Sequence, residues 1–300
     1  MDKQLDSRRI IIFLGFAFGI AWITGLIIYL TGGLANSPQI VPGISLALVL
    51  MATAYMWAPA LGNILTRLIT HEGWKDVGLR PRFKKGWRYW LAGWVLPAGM
   101  TVFGAAVFFV LFPQYFDAGL SLVHKQTAAS AAMSALSPWL FIGIQLVAAV
   151  LISPIANSLA TFGEEFGWRG YLMPKLMPLG GRKAMLLIGI IWGVWHWPVI
   201  LMGYEYGFKY PGYPWAGPLL FLWVTFGLGI FLGWLTLRSQ SIWPAVIGHA
   251  AINGIAGAAI LLTTGQPNTL LGPLPVGIIG SLGYALVTIA IFFSPNALKE

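Results

Sequence analysis

Six polar side chains stand inside stretches of sequence that are otherwise apolar. They are Glu164, Glu165 and Arg169 in one stretch, His196 in a second, and His249 with Asn253 in a third. A charged group at mid-bilayer costs about 2.5–3.5 kcal/mol on insertion scales, so such residues mark a site or a paired network. On a helix Glu165 and Arg169 are i,i+4 with the acid first, the favourable order for an ion pair. Glu164 then points about 100° away and is left free for chemistry. His249 and Asn253 are also i,i+4 and project from one face. A free carboxylate, two imidazoles and an amide suit one reaction well. Glu164, poised by His196, takes a proton from water that attacks a peptide carbonyl, while His249 and Asn253 hydrogen-bond the developing oxyanion.

The same residue types permit other readings. Glu164, His196 and His249 could furnish three ligands to zinc, with a fourth position left for water. A zinc-bound His usually donates its other nitrogen to an orienting carboxylate, and Glu165 is already taken by Arg169. No cofactor is therefore favoured, with zinc the alternative. A buried network that only holds helices together is a third reading, and two carboxylates with two histidines exceed what it needs. Other hydrolytic chemistries lack their residues. There is no Cys for a thiolate nucleophile, a disulfide or a thiolate metal site. The four Asp, at 2, 6, 76 and 117, fall outside the confident spans, so an intramembrane aspartyl pair is missing. His71-Glu72 is followed by Gly73-Trp74-Lys75, not by the second His of a zinc-protease helix. Ser45, in Gly43-Ile44-Ser45-Leu46, has no base near it in sequence and reads as small-residue packing.

The elements that must position this set are membrane helices. Only 9% of the 300 residues are charged, 58% are hydrophobic, and the mean hydropathy is +0.77. A soluble domain carries about 25% charged residues. A helix needs roughly 20 apolar residues to cross the hydrocarbon layer. Eight stretches qualify: Ile10–Thr31, Ile44–Leu68, Tyr89–Phe112, Trp139–Phe162, Ala184–Met202, Pro218–Leu237, Ile242–Leu262 and Val276–Phe293. The expected fold is all-α and polytopic, with about eight transmembrane helices in a single membrane domain over residues 1–300. Pro59 and Asn63 interrupt the second span, and the fourth is either long and tilted or kinked near Pro154. Pro198 is expected to kink the fifth.

Alternating the sides places 16 of the 18 Lys and Arg on the side of the N-terminus, leaving Lys125 and Lys209 opposite. Moving Arg169 into the membrane leaves 15 against those two. This fits the positive-inside rule with both termini inside. The net charge of +9 thus reads as topology signal facing anionic lipid, with no nucleic acid implied. The cell membrane is the expected location, with the site open to the cytoplasmic side. From the hairpin tip Leu179–Arg182, Glu164 and His196 lie at matching depth. His249, seven residues into its helix, meets them only if that hairpin protrudes or tilts. Trp168, Trp195 and Trp197 could line a lipid-like substrate groove, with aromatic packing around the polar set the preferred reading. The loop Gly203–Gly217, with four Tyr, could be a lid on the outer side, with an interfacial belt the simpler account.

At these residues the chain resembles a known family. Glu164-Glu165-Phe-Gly-Trp-Arg169 looks like the E-E-x-x-x-R motif of the CAAX-processing and bacteriocin-processing (CPBP, or Abi) intramembrane proteases. Trp192-Gly-Val-Trp-His196 is similar to its F-x-x-x-H motif, and His249-Ala-Ala-Ile-Asn253 matches H-x-x-x-N. The resemblance makes residues 139–258 the catalytic core. It implies an endopeptidase related to the Ras-converting enzyme that trims prenylated C-termini. Glu164 and His196 would activate water, His249 and Asn253 would hold the oxyanion, and Glu165 with Arg169 would support them. The implied partner is a membrane-associated peptide or protein that could be lipidated. Members are described both as metalloproteases and as metal-independent glutamate proteases. Trp192 stands where the family usually has Phe, a departure expected to change packing and not chemistry. The competing class is a membrane immunity or scaffold protein, or a transporter, that retains the polar cluster; a transporter would be expected to show repeats, and none is visible.

Overall fold

The computed structural model describes residues 5–75, 77–128, 133 and 135–299. Asp2, Lys3 and Asp76, which enter the counts above, lie outside them. The architecture is that of an all-α polytopic membrane protein. Its long helices are α1 (Ser7–Leu30), α2 (Leu46–Ile69), α3 (Phe83–Leu111), α11 (Ala216–Ser239) and the helical stretch Trp243–Leu262, whose first part, Trp243–Ile255, is α12. These five are long and apolar enough to cross a membrane. Between α3 and α11 come a short α4 (Ser121–Thr127), α5 (Pro138–Leu151), α6 (Ser153–Ala156), α7 (Ser158–Gly167), α8 (Met173–Leu176), α9 (Gly181–Trp195) and α10 (Trp197–Leu201). The last helix is α13 (Leu282–Phe293). A small antiparallel pair, β1 (Gln39–Val41) with β2 (Ile44–Ser45), precedes α2, and Ser45 Oγ accepts from the Leu48 amide as its N-cap.

Three of the eight expected spans are thus broken or short, and proline explains two of the breaks. Proline has no N–H, so the carbonyl four residues earlier loses its helical partner. Pro154 divides α5 from α7, and the freed Val150 carbonyl accepts from Trp94 Nε1 at 2.6 Å. Pro198 accompanies the break between α9 and α10. There the Val199 amide turns to His196 O, and Trp195 O accepts instead from Tyr55 Oη at 2.7 Å and Trp22 Nε1 at 3.2 Å. Beyond α7 the chain runs through a π-turn, Trp168–Leu172, a distortion that often accompanies functional sites. The interrupted second span has a similar turn at Met51–Tyr55. Asn63, which interrupts it in sequence, is buried and donates to Phe166 O at 2.8 Å.

Side chains in the interior tie these pieces together. Trp168, Trp192, Trp195, Arg169, Tyr55 and Tyr171 are the bulkiest buried groups. The predicted packing role of Trp168 and Trp195 agrees with their rings, which meet edge to face at 5.8 Å. Outward, α1 and α3 present large apolar residues such as Ile23, Leu30, Val102 and Val110, as a lipid-facing surface should. At one end Glu72 gathers Arg9, Arg67, Lys175 and the Tyr171 hydroxyl, fastening α1 and α2 to α8.

Candidate active site

Glu164 and Glu165 sit near the end of α7, and α7 lies hard against α2. A Cβ on Gly163 would stand 2.6 Å from Met56 O, and one on Gly167 only 2.3 Å from Pro59 Cβ. Two glycines four residues apart therefore let the backbones touch, the small-x-x-x-small device of membrane helices. The spacing was visible in the sequence but carries no chemistry of its own, so inspection of polar residues passes over it.

Both carboxylates are buried, and their partners differ. Glu165 Oε1 accepts from Arg169 at 2.9 Å within the helix, as i,i+4 spacing allows. The same oxygen also accepts from His249 Nδ1 at 2.9 Å, a contact from α12 that spacing could not reveal. Glu164 Oε2 accepts from Trp192 Nε1 at 2.6 Å. Trp192 also lies under the Arg169 guanidinium, 4.7 Å from ring centre to Cζ. The expectation that Trp in place of Phe alters only packing is therefore corrected. Its indole N–H is a polar partner of the unpaired carboxylate, and a phenyl ring has no such donor.

The two imidazoles are fixed by their Nδ1 atoms. His196, at the α9–α10 break, donates Nδ1–H to the Trp192 carbonyl at 2.8 Å, and its ring packs against Trp195 and Phe221. With that proton on Nδ1, a neutral ring presents an Nε2 lone pair. His249 donates Nδ1–H to Glu165. An Nε2–H on the same ring as well requires the imidazolium. His249 meets Glu165 because α12 starts inside the protein. Ser241 and Ile242 are fully buried, and the Ile242 amide donates to Gly78 O at 3.0 Å.

Glu164, His196, His249 and Asn253 line one cavity of about 340 Å³. The remainder of its wall is largely apolar and runs between α11 and α13 to Phe292 and Phe293. Tyr204 and Glu205, on the loop after α10, also line it. The interfacial reading of that loop needs correcting in part, since Tyr206 and Tyr210 are buried. Glu205 is a carboxylate on the wall that the sequence reading missed, because a Glu in a loop looks solvated. As for zinc, no three His, Asp or Glu side chains converge to hold an ion among the described residues. As they stand, Glu164, His196 and His249 are not gathered into such a set.

Residues 134–255 match the profile of the family described as type II CAAX prenyl endopeptidase Rce1-like. That range contains all six polar residues. CAAX prenyl protease 2 of Methanococcus maripaludis (strain S2) is 38% identical over 97 residues, 31% of this chain and 35% of that protein. The match spans about a third of that relative's length. With its apolar helices the chain is an integral membrane protein, and over residues 134–255 it is similar to the Rce1-like family.

Proposed function

We propose that the chain is an intramembrane endopeptidase that hydrolyses a peptide bond near the lipidated end of a membrane-associated, CAAX-type substrate. The observation that carries this reading is the shared cavity. A carboxylate, two imidazoles and an amide from three parts of the chain stand at one wall, and the rest of the lining can take a lipid chain. The relative's name, a prenyl protease, points to an isoprenoid as that chain.

Each residue has a role set by its free atoms. Glu164 Oε1 accepts the proton of a water, helped by the Nε2 lone pair of His196, as the oxygen attacks the scissile carbonyl. Asn253 and the His249 imidazolium donate to the tetrahedral oxyanion as its charge develops. The proton held by Glu164 then passes to the leaving nitrogen. The C–N bond breaks, and an acid and an amine leave. Glu165 and Arg169 touch no reacting atom in this scheme; Glu165 orients the His249 ring through its Nδ1–H. The cavity is taken to open toward the cytoplasm, with residues 139–258 as the core.

The test is cleavage of a fluorescent S-farnesylated peptide by detergent-purified protein. Glu164→Gln should abolish turnover while leaving the melting temperature and elution volume of the wild type. Turnover retained by that variant removes Glu164 from the reaction. The chain has no Cys of its own, so single Cys at Gly180 and Gly212 report sidedness. They should label from opposite faces of sealed vesicles, and labelling from one face overturns the orientation.

A further inference from the structure

The loop after α10, which lines the cavity at Tyr204 and Glu205, holds an unusual turn. The Tyr206 amide donates to the Tyr204 carbonyl at 2.8 Å, two residues back, and the residue between them, Glu205, has φ +66°. A three-residue turn with a left-handed centre is rare and strained, and glycine would adopt it at lower cost. Strain of this kind persists only where the surroundings impose it, and it gathers at functional sites. Here they do impose it. The Tyr204 amide donates to Val199 O at 3.0 Å, Tyr206 Oη donates to Val276 O at 2.8 Å, and Thr269 Oγ1 donates to Tyr206 O at 3.0 Å.

The strained turn sets the Glu205 carboxylate on the wall of the cavity that Glu164 and His196 also line. No basic side chain pairs with it among the described residues; the polar group acting on it is the Tyr204 hydroxyl. That phenol is held well above its usual range by the Glu205 charge, by burial and by Glu164. Only the five-residue α10 separates His196 from this loop. Tyr206 packs in one cluster with Phe221, whose ring meets His196 at 4.9 Å, which puts Glu205 toward the reacting end of the cavity and away from the apolar end at Phe293. A cation arriving there would be part of the peptide and not of its lipid. We propose that Glu205 is a specificity-determining subsite that takes a Lys or Arg side chain of the peptide substrate beside Glu164. This rests on the endopeptidase reading above. Burial pushes the Glu205 carboxyl up to about 7, and an ammonium or guanidinium partner would draw it back to the charged form.

The experiment uses labelled peptides S-farnesylated on a Cys that is followed by three residues. They are made in pairs with Lys or norleucine at each of those three positions and at the two before the Cys. Binding is read by anisotropy on the Glu164→Gln protein, and cleavage on protein with Glu164 intact. At one position Lys should bind about tenfold more tightly than norleucine and raise kcat/KM by about the same factor, the scale of one charge-assisted hydrogen bond. Glu205→Gln should bring the ratio within about twofold. Glu205→Gly should do the same while melting no lower than wild type, since it relaxes the turn. Equal ratios at every position with Glu205 present, or a preference that survives Glu205→Gly, overturn the subsite. A binding preference without any cleavage supports the subsite and removes the protease reading. Cleavage without preference does the reverse, and no binding by any peptide overturns both.

Discussion

Trp192 Nε1 donates to Glu164 Oε2 at 2.6 Å, so the indole fixes one oxygen of the candidate water-activating carboxylate. The donor comes from one turn before His196, whose Nδ1 is bound by the Trp192 carbonyl. One residue thus orients both groups. Trp192→Phe installs the ring usual in the family and removes the donor. A hydrogen bond to a charged group contributes about 1.5–3 kcal/mol, so kcat should fall about 10- to 100-fold with KM little changed. An unchanged kcat in a variant that melts like wild type would show that the contact is only packing.

Glu165, Arg169 and His249 form a buried triad on one carboxylate oxygen. Removing one partner of a buried ion pair costs about 3–5 kcal/mol because a charge is left alone. Arg169→Ala and Glu165→Ala should each lower the melting temperature, and the double variant should be less damaging than the two singles together. His249→Ala should destabilise less than Arg169→Ala, because Glu165 then keeps its Arg169 partner at 2.9 Å. Strict additivity of Glu165 and Arg169 in a double-mutant cycle would argue against their direct coupling.

Glu205 titrates where assays are run. Its carboxyl is raised from 4.5 to about 7, so the folded protein holds the proton more tightly than the unfolded chain. Stability from this group is full below 4.5, declines as pH rises to about 7, and is flat above. Wild type should therefore lose melting temperature relative to Glu205→Gln between pH 5 and pH 8. Selectivity should run the other way, with the Lys-to-norleucine ratio in kcat/KM rising over the same range as the carboxylate ionises. Titration of Glu164 and His196 cancels in that ratio. The nearby phenols of Tyr204 and Tyr206 are both raised and stay neutral throughout. A ratio independent of pH would remove Glu205 from recognition.

Metal removal distinguishes the two hydrolytic chemistries. His249 does have the orienting carboxylate that a zinc ligand would want, since Glu165 accepts its Nδ1–H. The other two candidate donors do not join it in one ligand set. Dialysis against a strong chelator should leave peptidase activity intact. Stoichiometric zinc in active protein, lost with activity and restored with it, would make Glu164, His196 and His249 ligands instead.

Composition and spacing by themselves determined the class of protein and every relationship internal to one helix. A chain with 9% charged residues has no surface to offer water, so its helices must lie in lipid. The 3.6-residue repeat puts Arg169 over Glu165 whatever surrounds them, and the missing N–H of Pro154 and Pro198 marks where helices break. Contacts between helices were out of reach of that arithmetic. His249 reaches Glu165 because α12 begins in the interior, under the Gly78 carbonyl, and a helix start inferred from hydropathy is assumed to lie at the membrane surface. Trp192 meets Glu164 because a helix break and a pair of close-packed glycines set the rotation and approach of α9 and α7. Glu205 enters the cavity because a loop is pinned from three sides into a turn that its own residues would not choose. Depth, rotation and loop path are cooperative outcomes of packing, and only the tertiary structure decides them.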